Sequence, residues 1–240
     1  MRCLGPRIAI SLSRTNADNI VMTELIVIRH GETDWNRQHR FQGQIDVPLN
    51  AMGLAQAERL GRRLADEPID VLVCSDLQRA RRTAEPLALP RGLVPQTDPL
   101  WREQGFGVLE GLDVPTIRSQ HGTLWDRWVR HEADYALPQG GESNVAFHAR
   151  VMQALQAVLA AHAGRRVAVV THGGVLDMLW RQARGLSLTG PRECDIPNTG
   201  INRLRWSGDA LQILRWAEAD HLLGLPEQPG TAQVSVPDEA

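Results

Sequence analysis

The sequence predicts an α/β fold, a three-layer sandwich with a mostly parallel central sheet and helices on both faces. Three observations carry that expectation. Short, continuously apolar runs of the length of buried strands recur along the chain. Segments with helical spacing fill the intervals between them. Strand, helix, strand in alternation implies a parallel sheet covered on both sides.

Taken in order, residues 1–22 stand apart. Arg2, Pro6 and Arg7 break up their apolar residues, and the longest apolar run, Ile8-Ala9-Ile10, is far short of the roughly 7–15 residues of a signal-peptide core. The segment is expected to be a disordered or artefactual N-terminal extension ahead of a domain over 23–224. Leu25-Ile26-Val27-Ile28 is the first strand, Val71-Leu72-Val73-Cys74 the second and Val167-Ala168-Val169-Val170 the third. Asn50 suits the N-cap of a helix over Ala51 to Asp66 that Pro68 stops, and Asp76 the start of one over Leu77 to Leu87. Glu142 to His162 carries Val151, Ala154, Leu155, Val158 and Leu159 at helical spacing. Ile201–Trp206 and Leu211–Trp216 flank the turn Ser207-Gly208-Asp209 and read as a late hairpin. Residues 112–140 are expected to form a helical lid, and 225–240, rich in Pro, Gly and acidic residues, a disordered tail.

Composition narrows the function. The 26 basic residues are all arginine, so a phosphate loop ending in Gly-Lys, a Schiff-base lysine and a kinase lysine are excluded. The formal net charge of -2 gives no basic field for nucleic acid, and no apolar stretch approaches the roughly 20 residues of a membrane span. Cys3, Cys74 and Cys194 are too scattered for a disulfide framework or a zinc site. The expected setting is therefore cytoplasmic, with no nucleic-acid or membrane partner. The sequence leaves the oligomeric state open, a homodimer included.

Ligands of open parallel sheets bind beyond the carboxyl ends of the strands. The first strand exits into Arg29-His30-Gly31-Glu32-Thr33, the second into Ser75-Asp76-Leu77-Gln78-Arg79 and the third into Thr171-His172-Gly173-Gly174. Singly, each residue reads as ordinary: a histidine after a strand as a satisfied polar group, Arg79 as one of many solvated arginines. Together they bring two imidazoles and two guanidiniums to one rim. That is a poor metal site, because arginine is no ligand and cations repel a metal. It suits a phosphate: guanidinium forks bind phosphoryl oxygens, neutral imidazole is a nucleophile, and Gly173 opens a helix whose N–H groups favour an anion. His39, His121, His131, His148, His162 and His221 show no convergent pattern and are expected at the surface or behind the site.

The segment LIVIRHGETDWN (25–36) resembles the signature of the histidine phosphatase superfamily, the phosphoglycerate mutase-like proteins. CSDLQRARRTAE (74–85), WREQGFGVLEG (101–111) and VVTHGG (169–174) resemble its later motifs in order, and the resemblance covers roughly residues 24–222. It implies a phosphoglycerate mutase-like fold, His30 as the phosphorylated nucleophile, and Arg29, Arg79 and His172 as holders of the phosphoryl oxygens. It further implies Asn36 as a phosphate contact, Glu103 as the proton donor, and no metal or cofactor. The substrate would be a small phosphorylated metabolite. Read without the resemblance, Glu103 is a surface carboxylate pairing with Arg102.

The same resemblance favours a phosphatase over a mutase. Glu103 and His172 are 69 residues apart, as in the compact phosphatases, and Gln44 follows Gly43 where mutases carry a tryptophan. Val114 stands where mutases place a substrate lysine. Phosphoglycerate mutase-type transfer is the alternative, and a non-catalytic phosphate-binding protein of the same fold the more distant one. Gln42 and Gly43 are candidate substrate contacts, though a turn role suffices for Gly43. Val114, Trp125 and Trp128 are candidate contacts in the lid, with the buried face of a helix an equal reading for the two tryptophans. In GGES (140–143), Glu142 is the expected helix cap and Ser143 a structural contact.

Overall fold

The computed structural model describes residues 22–228, so the expected extension before Met22 and the tail after Gln228 lie outside the described residues. In chain order the elements are β1 Thr23–Arg29, α1 Asp34–Arg37, α2 Ala51–Arg63, β2 Val71–Cys74, α3 Gln78–Ala88, β3 Gln96–Thr97, α4 Val114–Gln120, α5 Gly122–Trp128, α6 Asn144–Ala161, β4 Arg166–Thr171, α7 Gly173–Arg184, β5 Ile201–Trp206 and β6 Leu211–Glu218. The six strands form one sheet in the order β3-β2-β4-β1-β5-β6. The first four strands of that order, from the edge strand β3 to β1, pair in parallel, and β5 runs antiparallel to β1 and β6.

Side-chain alternation along the strands sorts the core into two layers. Leu25, Val27, Val71, Val73, Val167 and Val169 face one side, where α6 and α7 pack with Phe147, Leu155, Val175 and Leu179. Ile26, Ile28, Leu72, Cys74, Ala168 and Val170 face the other, against Leu60, Leu64, Ala80, Ala84 and Leu87 of the α2–α3 side. Both faces of the sheet are covered, which is why its strands read as unbroken apolar runs.

Helix ends follow local chemistry. Asn50 caps α2, its side chain accepting from Gly53 N, while α2 ends at Arg63, three residues earlier than the sequence pattern suggests. Leu77, not Asp76, is the N-cap of α3, because Asp76 is drawn away by Arg102 at 2.7 and 2.6 Å. Ser143 caps α6 by accepting from Ala146 N, so the expected roles of Ser143 and Glu142 are reversed. The expected lid holds α4 and α5, which enclose their own small core of Leu109, Ile117, Trp125, Val129 and Leu137. The expected tail is not free at its start. Gln228 exchanges two hydrogen bonds with the Asn198 backbone, at 2.7 and 3.1 Å. Among the described residues no helix is long and apolar enough to cross a membrane.

Candidate active site

The register of β1 against β4 pairs Arg29 with Thr171, so His30 and His172 leave the sheet side by side. Their ring centroids are 5.1 Å apart. His30 Nδ1 lies 2.7 Å from Gly31 O. A carbonyl only accepts, so Nδ1 carries the proton and Nε2 keeps its lone pair. Burial, then the Arg79 and Arg29 guanidiniums, push the His30 pKa well below the usual histidine value, which keeps the ring neutral. His172 has the complementary tautomer. Arg79 Nε lies 3.3 Å from its Nδ1 and can only donate, so the proton sits on Nε2, which is buried without a partner. Burial foremost, with Arg79 next, also lowers the His172 pKa well below the usual value. One ring thus offers a lone pair and its neighbour a donor.

Two arginines stand beside them. Arg29 donates through Nη1 to Ile196 O at 2.6 Å, while its Nε is buried without a partner. Burial and the nearby Arg192 lower its pKa to about 10, so it remains charged at neutral pH. Arg79 is fully buried, not a solvated helix residue. Its Nη1 and Nη2 donate to Ile45 O and Gly43 O, each at 2.8 Å, which aims the plane of the guanidinium. Burial lowers its pKa to about 10 as well. Gly43 permits this geometry: its φ is +51°, and a Cβ there would stand 1.9 Å from Glu110 Oε1. Asn36 accepts through Oδ1 from Thr33 N at 3.0 Å within the α1 capping box, and its amide NH2 has no partner among the described residues.

Glu103 faces the start of α7. Both carboxylate oxygens accept from Gly174 N, each at 3.1 Å, and Oε1 also accepts from Gln104 N at 2.9 Å. A Cβ on residue 174 would lie 2.2 Å from Glu103 Oε1, so only glycine lets the carboxylate approach. The surface pairing of Glu103 with Arg102 does not occur, since Arg102 is spent on Asp76. The segment carrying Glu103 is held by Arg150, which donates to Leu100 O, Arg102 O and Glu103 O at 2.8, 2.9 and 3.0 Å. Glu142 grips the same guanidinium twice, at 2.7 and 2.6 Å, and also accepts from Gly105 N at 2.8 Å.

These groups border one cleft of about 440 Å³. Arg29, His30, Asn36, Gln42, Gly43, Arg79, Glu103, Val114, Trp128 and Gly173 all line it. His172 lies just behind, against His30. Trp125 does not line the cleft. It is 4% exposed within the lid core and stacks on Trp128 at 5.6 Å, so for this residue the buried-face reading holds and the substrate role is withdrawn. Trp128 turns its other side to the cleft with Phe41 and Phe106.

Sequence reasoning missed Arg192, Asp177, His39 and His131, all on the cleft wall. It also missed Asn198, whose Nδ2 donates to His30 O at 2.9 Å. Arg150 carried no signal within the long helix α6. An acid within the apolar run Val175-Leu176-Asp177-Met178-Leu179 was the single hint the sequence held, for Asp177.

An α/β sheet with two neutral imidazoles beside buried guanidiniums at its switch point defines a phosphoglycerate mutase-like fold with an oxyanion-suited rim. The profile of the histidine phosphatase superfamily (branch 1) matches residues 25–219, and the chain belongs to that family of enzymes. It is 36% identical over 213 residues to phosphoglycerate mutase-like protein 4 of Arabidopsis thaliana, covering 88% of this chain and 91% of that one. It is 34% identical over 204 residues to the metal-independent phosphoserine phosphatase of the same plant, covering 84% of each. Among solved structures, mycobacterial glucosyl-3-phosphoglycerate phosphatase Rv2419c in complex with VO3 superposes with a TM-score of 0.72 at 29% identity, over 82% of this chain and 99% of that one.

Proposed function

We propose that the chain hydrolyses phosphomonoesters without a metal, in two steps through phosphohistidine on His30. The observation that carries this reading is the pair of opposed tautomers, His30 with a free Nε2 lone pair and His172 with an unpartnered Nε2–H beside it. In the first step His30 Nε2 attacks phosphorus and the bond to the ester oxygen breaks. Arg29, Arg79, His172 and the Asn36 amide take up the charge on the non-bridging oxygens, the main demand in phosphoryl transfer. Glu103, across the cleft, gives its proton to the leaving alkoxide. In the second step water attacks phosphorus, Glu103 takes its proton, and phosphate leaves with His30 neutral again.

Two named relatives are phosphatases, and the cleft lining includes Val114, the position where the family resemblance puts a lysine in mutases. Both support water over a second substrate as the acceptor. The test is phosphate release from a panel of phosphomonoesters, with and without EDTA, for the wild type and His30→Ala. Turnover that survives EDTA and falls at least about 10³-fold in His30→Ala is expected. Sustained turnover by the variant overturns the phosphohistidine route. Interconversion of phosphoglycerates faster than phosphate release assigns the chain to the mutases.

A further inference from the structure

His30 is held through the backbone that follows it as well as through its ring. Two peptide units come after it, and side chains engage all four of their polar groups. In the first, Asn198 Nδ2 donates to His30 O and Gly31 N donates to Thr83 Oγ1, each at 2.9 Å. Thr83 Oγ1 spends its own proton on Arg79 O at 2.7 Å, so it acts on Gly31 purely as an acceptor. In the second unit His30 Nδ1 donates to Gly31 O at 2.7 Å, and Glu32 N donates to Gln56 Oε1 at 2.8 Å.

Gln56 is a polar residue on a face of α2 that otherwise buries Gly53, Ala57, Leu60 and Gly61. Burying an amide there is costly unless it is hydrogen-bonded. The start of α2 is docked to bring it into place: Asn50 N donates to Glu32 O at 3.0 Å, and Asn50 Nδ2 to Glu32 Oε1 at 2.8 Å. Gly31 allows the approach. A Cβ at residue 31 would lie 2.6 Å from Gly53 O, and Gln56 stands three residues beyond Gly53 on the same face.

One amide links the last two bonds, in the chain Gln56 Oε1, Glu32 N–H, Gly31 C=O, His30 Nδ1–H. An acceptor on the N–H of an amide makes its carbonyl oxygen more negative, and successive bonds in such a chain strengthen one another by roughly 10–30%. A stronger bond at Nδ1 fixes the tautomer and raises the basicity of the other ring nitrogen. We propose that Gln56 is a positioning residue for His30, acting through the Gly31–Glu32 amide to hold the ring and make Nε2 more nucleophilic. This rests on the phosphohistidine reading above. As Nε2 bonds to phosphorus and the ester P–O bond breaks, the leaving oxygen takes the Glu103 proton. Positive charge then spreads over the imidazole, and Nδ1 keeps its proton against Gly31 O. The chain contains no charged group, whereas a carboxylate stands behind the imidazole of a Ser-His-Asp triad.

The proton NMR resonance of His30 Nδ1–H, assigned by its loss in His30→Ala, reports the strength of this bond in the resting protein without any substrate. Gln56→Met is expected to move it upfield and to lower kcat about tenfold, with KM within about twofold of the wild type. Gln56→Glu keeps an acceptor oxygen whether or not it is ionised, so it should return the resonance at least to its wild-type position and kcat to within about threefold. Gln56→Asn, with a shorter reach to Glu32 N, should shift the resonance upfield by less and stands in if Gln56→Met does not fold. Leu60→Ala, on the same buried face of α2, is the packing control: it should lower stability and leave the resonance and kcat in place. An unmoved resonance in the Met or Asn variant overturns the relay. So does an equal shift in Leu60→Ala, or no recovery in Gln56→Glu. Absent turnover in the wild type would instead overturn the hydrolytic reading and leave the resonance shifts legible.

Discussion

The rim of the sheet and the lid above it hold their residues by different means. His30 and His172 are placed by strand register: once β1 and β4 pair, the two imidazoles must emerge together. Glu103 and Arg79 are then aimed by hydrogen bonds to backbone carbonyls and N–H groups, whose positions the sheet and the loops around it fix. The lid instead rests on a self-contained cluster in which Phe41, Phe106, Trp125 and Trp128 meet mainly edge to face. Its core is separate from the two layers on the sheet. Geometry for chemistry is thus tied to the register and packing of the sheet. The wall that meets the rest of the ligand is tied to a separate core.

That contrast is most exposed at Arg150, which belongs to the rim although it touches neither imidazole. Arg150→Met removes three carbonyl contacts along 100–103 and leaves Glu142 without its cation. Breaking a largely buried pair of this kind costs about 3 kcal/mol. Displacing Glu103 by even about 1 Å costs roughly 10²-fold in kcat. Measured together, kcat should fall more than KM rises. A variant with normal kcat and lowered stability would show that Glu103 is placed without this staple.

The lid gives the opposite pattern. Trp125→Ala opens a cavity worth about 3 kcal/mol, and the loss is expected to be local. Hydrogen exchange should quicken across α4 and α5 while β1 and β4 keep their protection. Equal loss of protection in the sheet would make the two regions one cooperative unit. Trp128→Leu keeps apolar bulk on the cleft wall and should raise KM by up to about tenfold with kcat little altered, a loss of uniform binding. A fall in kcat instead would put Trp128 among the groups that align the phosphoryl transfer.

The same contrast explains what the sequence revealed. The strands and their exits were legible because continuous apolar runs and the residues after them are local features. Arg29, His30 and His172 converge through the register of β1 on β4, which follows from those runs, and Arg79 joins them from the start of α3, just after β2. The short β3, α4 and α5 gave no usable period, since two exposed residues cannot alternate and a seven-residue helix shows barely two turns. Arg192 and Asn198 were invisible because they act from a loop that is ordered by tertiary hydrogen bonds. Trp125 and Trp128, three residues apart, had the same composition and spacing signal. Only the packing of α5 decides which of them faces the cleft.

The smallest expected effect sharpens the comparison from the solvent side. His30 and His172 are held neutral in the fold, with pKa values well below the usual histidine value, whereas both titrate near pH 6.5 when unfolded. Below that pH the unfolded chain therefore binds protons that the folded rim refuses. Stability present above pH 6.5 is lost as the pH falls toward the folded-state pKa values. Between pH 6.5 and 5.5 each such imidazole contributes a loss of about 1 kcal/mol. His131 in the lid, lowered chiefly by burial, adds to the same sign. Urea unfolding of the wild type and of His30→Asn at the two pH values isolates the rim term, since the variant lacks one of the two excluded protons. The wild type should lose about 1 kcal/mol more than the variant. Identical losses would mean that His30 accepts a proton in the folded state over this range, and that the lone pair needed for attack is not secured by burial.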